Sequence, residues 1–589
     1  MHDRPPDGNA ARTRRASARP LVLRRAALVA VGVAAALCLA GIFQHGLWTP
    51  DEPREAEIGR EMLLSRWSAV PTLGGTPFLE KPPFFVWVMA AAYQAFGVSA
   101  GVARLPGALL SVGAAWFAYL MARRAGGRLA GVAAAVVLVT MSEFAGWSHR
   151  SVNDTALTFF VAAGHWTFLV ARDDHLAGRR PLAYAAGGVC AGLAFLTKGP
   201  IGPVLVAGPP LLAAAAMRDW PFVRQALPRA ALWCTAFVVA LGLPWAVALA
   251  DDLGRHAVKE CLWDNTIGRA TGGTTEEVGF LTHTNPPWYY LTGWPQSLVP
   301  WTLAIPALFF GGTLSRSWRA GRARYLALLA LAGVVLLSIP AGKRPLYLIP
   351  LFPATAAVFG TWLSRAGSRR GGRFDRPTAV AIMALLALAA VAATWVTAGG
   401  WLPSGKTAEK LAAFVAYHGD AMPATAAACA VFAAAFGVLA FLAARRPAAW
   451  AARSAVVATA AGFLVVHLAG RPLMDRPLND MEEGAKALAA AVPDDEEMLA
   501  VAPDETTRAV VPFYTGRMLR PIYPPRAAPG RPVQVSMPDD FGKAPRRYLV
   551  VMDSSEQFVG ANTRARLRLV KTVTLNPDRP VNVYRCDAP

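Results

Sequence analysis

Along its length the chain alternates long apolar runs with short polar breaks. A membrane-spanning helix needs about 20 apolar residues. Runs of that kind fall at about 24–44, 104–122, 127–146, 155–171, 182–197, 200–217, 230–250, 289–312, 325–341, 345–363, 377–398, 423–444 and 454–470. The pattern therefore predicts about thirteen transmembrane helices. The run "FFVWVMAAAYQAFG" at 84–97 is too short to cross and predicts an interfacial or re-entrant helix. No Asp, Glu, Lys or Arg falls near the middle of a predicted span. Only His165 and His467 lie well inside, where a helix–helix hydrogen bond is the plain expectation.

Past residue 471 the pattern changes. "MEEGAKALAAAV" predicts a helix, "EEMLAVAPD" a strand, and "ETTRAVVPFYTG" a helix closing at Gly516; "RRYLVVMDSS" and "RPVNVYRC" predict strands. Alternating helix and strand predicts a small α/β domain. The expected fold class is thus a polytopic α-helical membrane protein with a small C-terminal extracytoplasmic α/β domain.

Charge supplies the sidedness. With thirteen spans and the N-terminus inside, the cytoplasmic segments are 1–23, 123–126, 172–181, 218–229, 313–324, 364–376 and 445–453; all are Arg-rich and none contains Lys. Making 84–97 a full span would invert this bias, against the positive-inside rule. The expected organisation is a basic cytoplasmic N-terminus (1–23), a transmembrane domain (24–470) and a periplasmic α/β domain (471–589). The first extracytoplasmic loop (45–103) would carry juxtamembrane helices. The N-terminal run reads as a retained helix, since it lacks a clear small-residue cleavage site.

Composition agrees. Of 589 residues 54% are hydrophobic and 16% charged, against about a quarter charged in soluble proteins. The net charge of +21 could suggest nucleic acid, but the basic residues sit in short loops between apolar runs, so membrane lipids and no nucleic acid are the expected contacts. The six cysteines show no CxxC or Cys/His metal spacing. Uncharged span centres argue against an ion-coupled pump.

The remaining polar residues gather on the outer face. "WTPDEPREAEIGREMLLSRW" (48–67) opens with acids and Pro53, a helix-start signature, so Asp51 could simply cap that helix. Ile58, Met62 and Leu63 form an apolar stripe that would lie on the bilayer. The same face carries Glu80 and Lys81, then His149, Arg150 and Asp154, then Lys198. Arg255, Lys259 and Arg269 follow in a long loop, and Lys343, Arg344 and Tyr347 in "GKRPLY". Cations and carboxylates converging on one rim suit an anionic lipid headgroup, and the pair Asp51 and Glu52 suits general-base work on a hydroxyl.

The motifs "DEPREAEIGREML", "GGTPFLEKPPFFVW", "GVARLPGALLSV", "NDTALTFF", "FLTKGPIG", "NPPWYYL" and "KRPLYLIPLFP" occur in this order over about residues 20–365. They resemble the superfamily of polytopic (GT-C type) glycosyltransferases that use polyprenyl-phosphate sugars, the lipid A aminoarabinose transferases and protein O-mannosyltransferases in particular. The resemblance implies catalytic roles for Asp51 and Asp154, and donor-phosphate binding by Lys81, Arg269 and Tyr347. Lys343 of the same rim is counted with these, and Glu52, Glu80, Lys198 and His149 as supporting residues. Glu80 matches a position near a bound metal in aminoarabinose transferases. The loop around "KECLWDNTIGR" supplies no histidine partner, so no metal and no cofactor are expected. The "EKPP" turn would stop the backbone before an interfacial helix and present Lys81 to a lipid phosphate.

The function the resemblance implies is inverting transfer of a sugar from a polyprenyl monophosphate to a lipid (lipid A-like), glycan or protein acceptor. It would take place outside a bacterial cytoplasmic (inner) membrane. The alternative is a lipid-linked sugar flippase or transporter, which explains poorly why the charges sit on one side only. A third reading, helices as mere anchor for the C-terminal domain, leaves so many spans without a purpose.

Overall fold

The computed structural model describes residues 25–49, 51–173, 178, 180–268, 284–310, 321–366, 372–400, 404–523, 546–576 and 579–587. Six of the described helices are long and apolar enough to cross a membrane: Ala100–Gly126, Trp220–Leu253, Pro345–Ala366, Asp375–Thr397, Thr407–Arg445 and Ala448–Ala489. Shorter apolar helices, among them Arg25–Leu39, Arg128–Val139 and Ile201–Ala216, fall where the sequence predicts spans. The helices begin and end on local signals. Ser99 accepts a hydrogen bond from the Val102 amide to start Ala100–Gly126, and Gly127, at φ +87°, ends it. Small residues let the bundle close: a Cβ on Gly360 would come within 2.3 Å of the Ala130 carbonyl oxygen, so this crossing requires glycine.

Two expectations change. The apolar run at 289–312 is not one helix but Tyr289–Ser297, Trp301–Ala304 and Ile305–Phe310, in keeping with the prolines at 295 and 300 that each remove an amide donor. The helix Lys406–His418 was not foreseen, because its polar face breaks the long apolar pattern that marks a span.

The first loop carries the helix Glu52–Leu64, a hairpin of β1 (Thr72–Leu73) and β2 (Thr76–Pro77), and the helix Phe84–Phe96 after Pro83. Gly74 and Gly75, at φ +57° and +71°, form the two-residue turn of the hairpin.

The C-terminal region is a five-stranded sheet in the order β4-β3-β5-β7-β6. Its strands are β3 (Met498–Val501), β4 (Leu519–Ile522), β5 (Arg546–Met552), β6 (Leu567–Thr574) and β7 (Pro580–Asp587). β4 and β5 pair parallel to β3, while β7 and then β6 add antiparallel. β3 is buried on both faces. Met498 and Ala500 pack with Leu488 and Val510 beneath the helices Glu482–Ala489 and Glu505–Thr515, while Leu499 and Val501 pack with Leu549 and Val551 on the other side. β4 and β6 were not read from the sequence: β4 is four residues with a proline, and most of β6 faces outward, so neither has a clear apolar alternation.

This region docks on the first loop. The Asp475 carboxylate accepts from the Gly46 amide at 2.7 Å, the Tyr514 hydroxyl accepts from the Leu47 amide at 2.9 Å, and Arg508 donates to the Leu73 carbonyl. The stripe of the Glu52–Leu64 helix therefore does not lie on the bilayer. Ile58 and Met62 are buried with Val86, Ala90 and Ala509, between the Phe84–Phe96 helix and the C-terminal helix Glu505–Thr515.

Candidate functional site

The acidic helix is fixed first. Glu52 is fully buried and takes Arg104 as its partner, Nε at 2.6 Å and Nη2 at 3.0 Å. Its carboxylate also accepts from the amides of Trp48 (2.8 Å) and Ser151 (3.2 Å). Arg104 spends its other donors on the carbonyls of Ile42, His45 and Gly46. Every strong hydrogen-bonding direction of the pair is used, so burial is compensated. Glu52 is in this way a clamp between the end of the first helix and the acidic one, not a free base. The hydroxyl of Tyr93, on the Phe84–Phe96 helix, donates to the Ala56 carbonyl at 3.2 Å and holds the other side.

Asp51 precedes that helix but makes no capping hydrogen bond with its side chain, so the capping expectation fails. Its carboxylate instead meets two guanidiniums, Arg54 at 3.2 Å and Arg344 at 2.9 Å. Arg54 also reaches Glu55 at 3.0 Å and Glu505 of the C-terminal region at 2.6 Å. Lys81 completes the chain, 2.8 Å from Glu55. Burial alone would raise the Asp51 carboxyl, but Arg54, Arg344 and Lys81 outweigh it and hold the group at about 2. Burial works against the Lys81 ammonium as well, and Glu55 more than restores it, so Lys81 stays charged.

A second cluster stands beside the first. Lys198, ending the helix Arg180–Lys198, pairs with Asp154 in the first turn of Asn153–Ala171. Its ammonium also lies 4.5 Å from the Tyr347 ring centre. Burial of Arg344 is offset by Asp51, and Tyr347 and Asp154 also act on its charge, which links the two clusters.

Other predicted residues land elsewhere. The Lys343 ammonium is buried and donates to the carbonyls of Asn285 (2.9 Å) and Pro340, while the Asn285 side-chain Nδ2 donates back to the Lys343 carbonyl at 3.0 Å. Lys343 thus staples two loop segments, and its neighbour Arg344 is the one aimed at Asp51. His149 bonds the carbonyls of Ala145 (3.0 Å) and Ala40 (3.1 Å) and stacks on His467 at 3.7 Å, which makes it a packing group. Glu80 interacts electrostatically with Arg54 and Lys81. Arg269 lies outside the described residues. Among those described, no three His, Cys, Asp or Glu side chains converge as a metal site.

Sequence reasoning placed Arg344 on the rim without giving it a role, and missed Arg54, Arg104 and Glu505 as site residues. Arg54 and Arg104 sat inside the quoted motifs, but an arginine on a helix gives no sign of its distant partner. Glu505 comes from a region 451 residues further along the chain, and no local pattern could bring it to Arg54.

The architecture is that of a polytopic membrane protein with a C-terminal mixed sheet. The described fold matches the crystal structure of ArnT from Cupriavidus metallidurans bound to undecaprenyl phosphate with a TM-score of 0.72, over 94% of this chain and 97% of that one, at 21% identity. The same protein in the apo state matches at 0.70, over 96% and 98%, also at 21% identity. The family model described as dolichyl-phosphate-mannose-protein mannosyltransferase matches residues 80–245. An undecaprenyl phosphate-alpha-4-amino-4-deoxy-L-arabinose arabinosyl transferase of Pseudomonas fluorescens (strain Pf0-1) is 30% identical over 368 residues, 60% of this chain and 61% of that protein. A protein of the same description from Pseudomonas aeruginosa (strain LESB58) is 30% identical over 332 residues, 55% of this chain and 56% of the relative. The similarity thus spans about three fifths of the length of these curated relatives. The chain thus shares its fold with ArnT and is similar in sequence, over part of its length, to polyprenyl-phosphate-sugar glycosyltransferases.

Proposed function

We propose that the protein transfers a sugar from a polyprenyl monophosphate to a phosphorylated, lipid A-like acceptor on the extracytoplasmic side of a bacterial inner membrane. The observation that carries this is the set of cations, Arg54, Lys81 and Arg344, drawn onto Asp51 and Glu55 at the end of the first helix. The sugar of the relatives' printed name, 4-amino-4-deoxy-L-arabinose, is the proposed donor sugar here. Thirteen spans, a cytoplasmic 1–23, a transmembrane 24–470 and a periplasmic 471–589 form the proposed topology.

In the proposed reaction an acceptor oxygen attacks the anomeric carbon from the face opposite the leaving group, inverting it. The bond from that carbon to the phosphate oxygen breaks, and the polyprenyl phosphate leaves with the electron pair. Lys81, Tyr347 and Arg269 bind the phosphate and stabilise its growing charge, with Lys198 placed beside Tyr347. Asp154 keeps Lys198 in position. A carboxylate held at about 2 is a weak proton acceptor, so Asp51 acts as a fixed negative charge that orients the acceptor and supports positive charge on the sugar ring. An ionised phosphate acceptor needs no proton removed, which fits that role. A flippase is disfavoured, since the described charge network gathers at the ends of the helices.

The test is mass spectrometry of lipid A, envelope glycans and envelope proteins from a deletion strain complemented with wild type or Asp51→Asn. A sugar lost on deletion and restored only by wild type is expected. Full restoration by the Asn variant would remove Asp51 from the mechanism, and an unchanged envelope would count against transfer.

A further inference from the structure

Most cations of the outer rim meet a carboxylate: Arg54, Lys81, Arg104, Lys198 and Arg344 are all paired. Two guanidiniums beside Trp48 meet none among the described residues. Arg150 is half-buried, its guanidinium 4.8 Å from the Trp147 ring centre and 5.9 Å from that of Trp48, and its polar contact is the Thr49 carbonyl at 3.5 Å. Arg471, where the last long helix passes into the C-terminal region, lies 5.8 Å from the same indole. Its Nη2 donates to the carbonyls of Ala145 (3.1 Å) and Gly146 (3.3 Å), and its Nη1 is buried with no partner. The two charges are close enough to repel. The acids around them are engaged elsewhere: Glu52 with Arg104, Asp51 with Arg54 and Arg344, and Glu143 with the Trp147 indole N–H. Asp475, one turn beyond Arg471, takes the Gly46 amide and the Trp48 indole N–H.

Glu52, Asp51 and Glu143 attract these charges from a distance, but two neighbouring guanidiniums withdrawn from water with no acid in hydrogen-bond contact are costly to hold, and an anion beside both lowers that cost. Their planar forks match the oxygens of a phosphate, while the indole face supports both. The hydrogen-bond and ring partners of the two guanidiniums differ from those of Lys81, Lys198 and Tyr347, yet the carbonyl touched by Arg150 is only two residues before Asp51.

We propose that Arg150 and Arg471, both beside the Trp48 indole, bind the phosphate group of the acceptor lipid and hold it beside Asp51. This rests on the transfer reading, which supplies an acceptor, but its test does not require turnover.

Full-length protein in phosphatidylcholine nanodiscs is given bisphosphorylated lipid A or the same lipid with its phosphates removed, and binding is measured without donor. Wild type is expected to prefer the phosphorylated probe. Arg150→Gln and Arg471→Gln should each weaken that binding about tenfold or more and erase the preference, with undecaprenyl phosphate affinity unchanged. Arg150→Lys, which keeps charge but loses the fork, should fall between, and serves if the Gln variant does not fold. Unaltered probe binding in the folded variants would overturn the proposal. So would a parallel loss of undecaprenyl phosphate binding, which would assign the corner to the donor, or equal competition by phosphatidylglycerol, which would make it an anchor for bilayer lipid. Wild type that binds the phosphorylated probe through these arginines, yet transfers no sugar when donor is added, would support the corner and sink the transfer reading.

Discussion

Asp51 owes its charge to its neighbours. In the fold it titrates at about 2 against an ordinary 3.8. Its ion pairs therefore stabilise the protein fully above about pH 4, and that contribution is lost as pH falls through the folded value. Between pH 5 and 8 the group does not change protonation. Asp51→Asn should accordingly lower the turnover number by about 10²–10³, and by the same factor throughout this range. A wild-type to variant ratio that shrinks steadily from pH 7 to pH 5 would instead reveal a titrating base. Lys343 and Arg344 allow a second test at this scale, because adjacent cations do different work. Lys343→Met removes a staple between backbone carbonyls, and should lower the melting temperature with little change in undecaprenyl phosphate affinity. Arg344→Met removes the 2.9 Å contact to Asp51, and should cost about tenfold in turnover with a smaller effect on melting. The opposite pattern would reverse the two assignments.

At the scale of elements, the helix Glu52–Leu64 is held on every side. Arg104 ties its start to the carbonyls of the first helix's end, Tyr93 grips it from the interfacial helix, and Glu505 meets its Arg54. Burial explains why so charged a helix survives there: its acids face arginines and a lysine, not lipid. Arg104→Met would strand the Glu52 carboxylate, fully buried, without its partner. Removing one member of such a pair costs about 3–5 kcal/mol, so the expected result is a sharp fall in monodisperse protein recovered from detergent. The double variant Glu52→Leu with Arg104→Met should recover part of it. Equal recovery of the single variant and wild type would show that the clamp is dispensable.

Over the whole molecule, the C-terminal sheet region functions as part of the first loop's support. Asp475, Arg508 and Tyr514 all bind backbone groups of residues 46–73, so the last fifth of the chain braces the segment that carries Asp51. The proposed thirteen spans place the two ends on opposite sides of the membrane. Ser17→Cys and Ser554→Cys should then be labelled by a membrane-impermeant thiol reagent from opposite faces, the second in intact spheroplasts. Labelling of both from one face would require an even number of spans.

The sequence alone determined the membrane class, the apolar helices and their order. Run length and the arginine bias report directly on bilayer thickness and loop charge, which are local properties. It also determined two helices and the strands β3, β5 and β7 after 471, and the acidic motif at 51–57, because turn and helix-start signals are local too. Tertiary structure alone decided which charges meet. Arg344 rather than Lys343 faces Asp51, Glu52 serves a buried clamp, and Glu505 reaches Arg54 across 451 positions. The stripe of Ile58 and Met62 shows the boundary most clearly. Its period specifies one apolar helix face, but lipid and protein interior satisfy such a face equally well, and only the packed helix Glu505–Thr515 settled which one covers it.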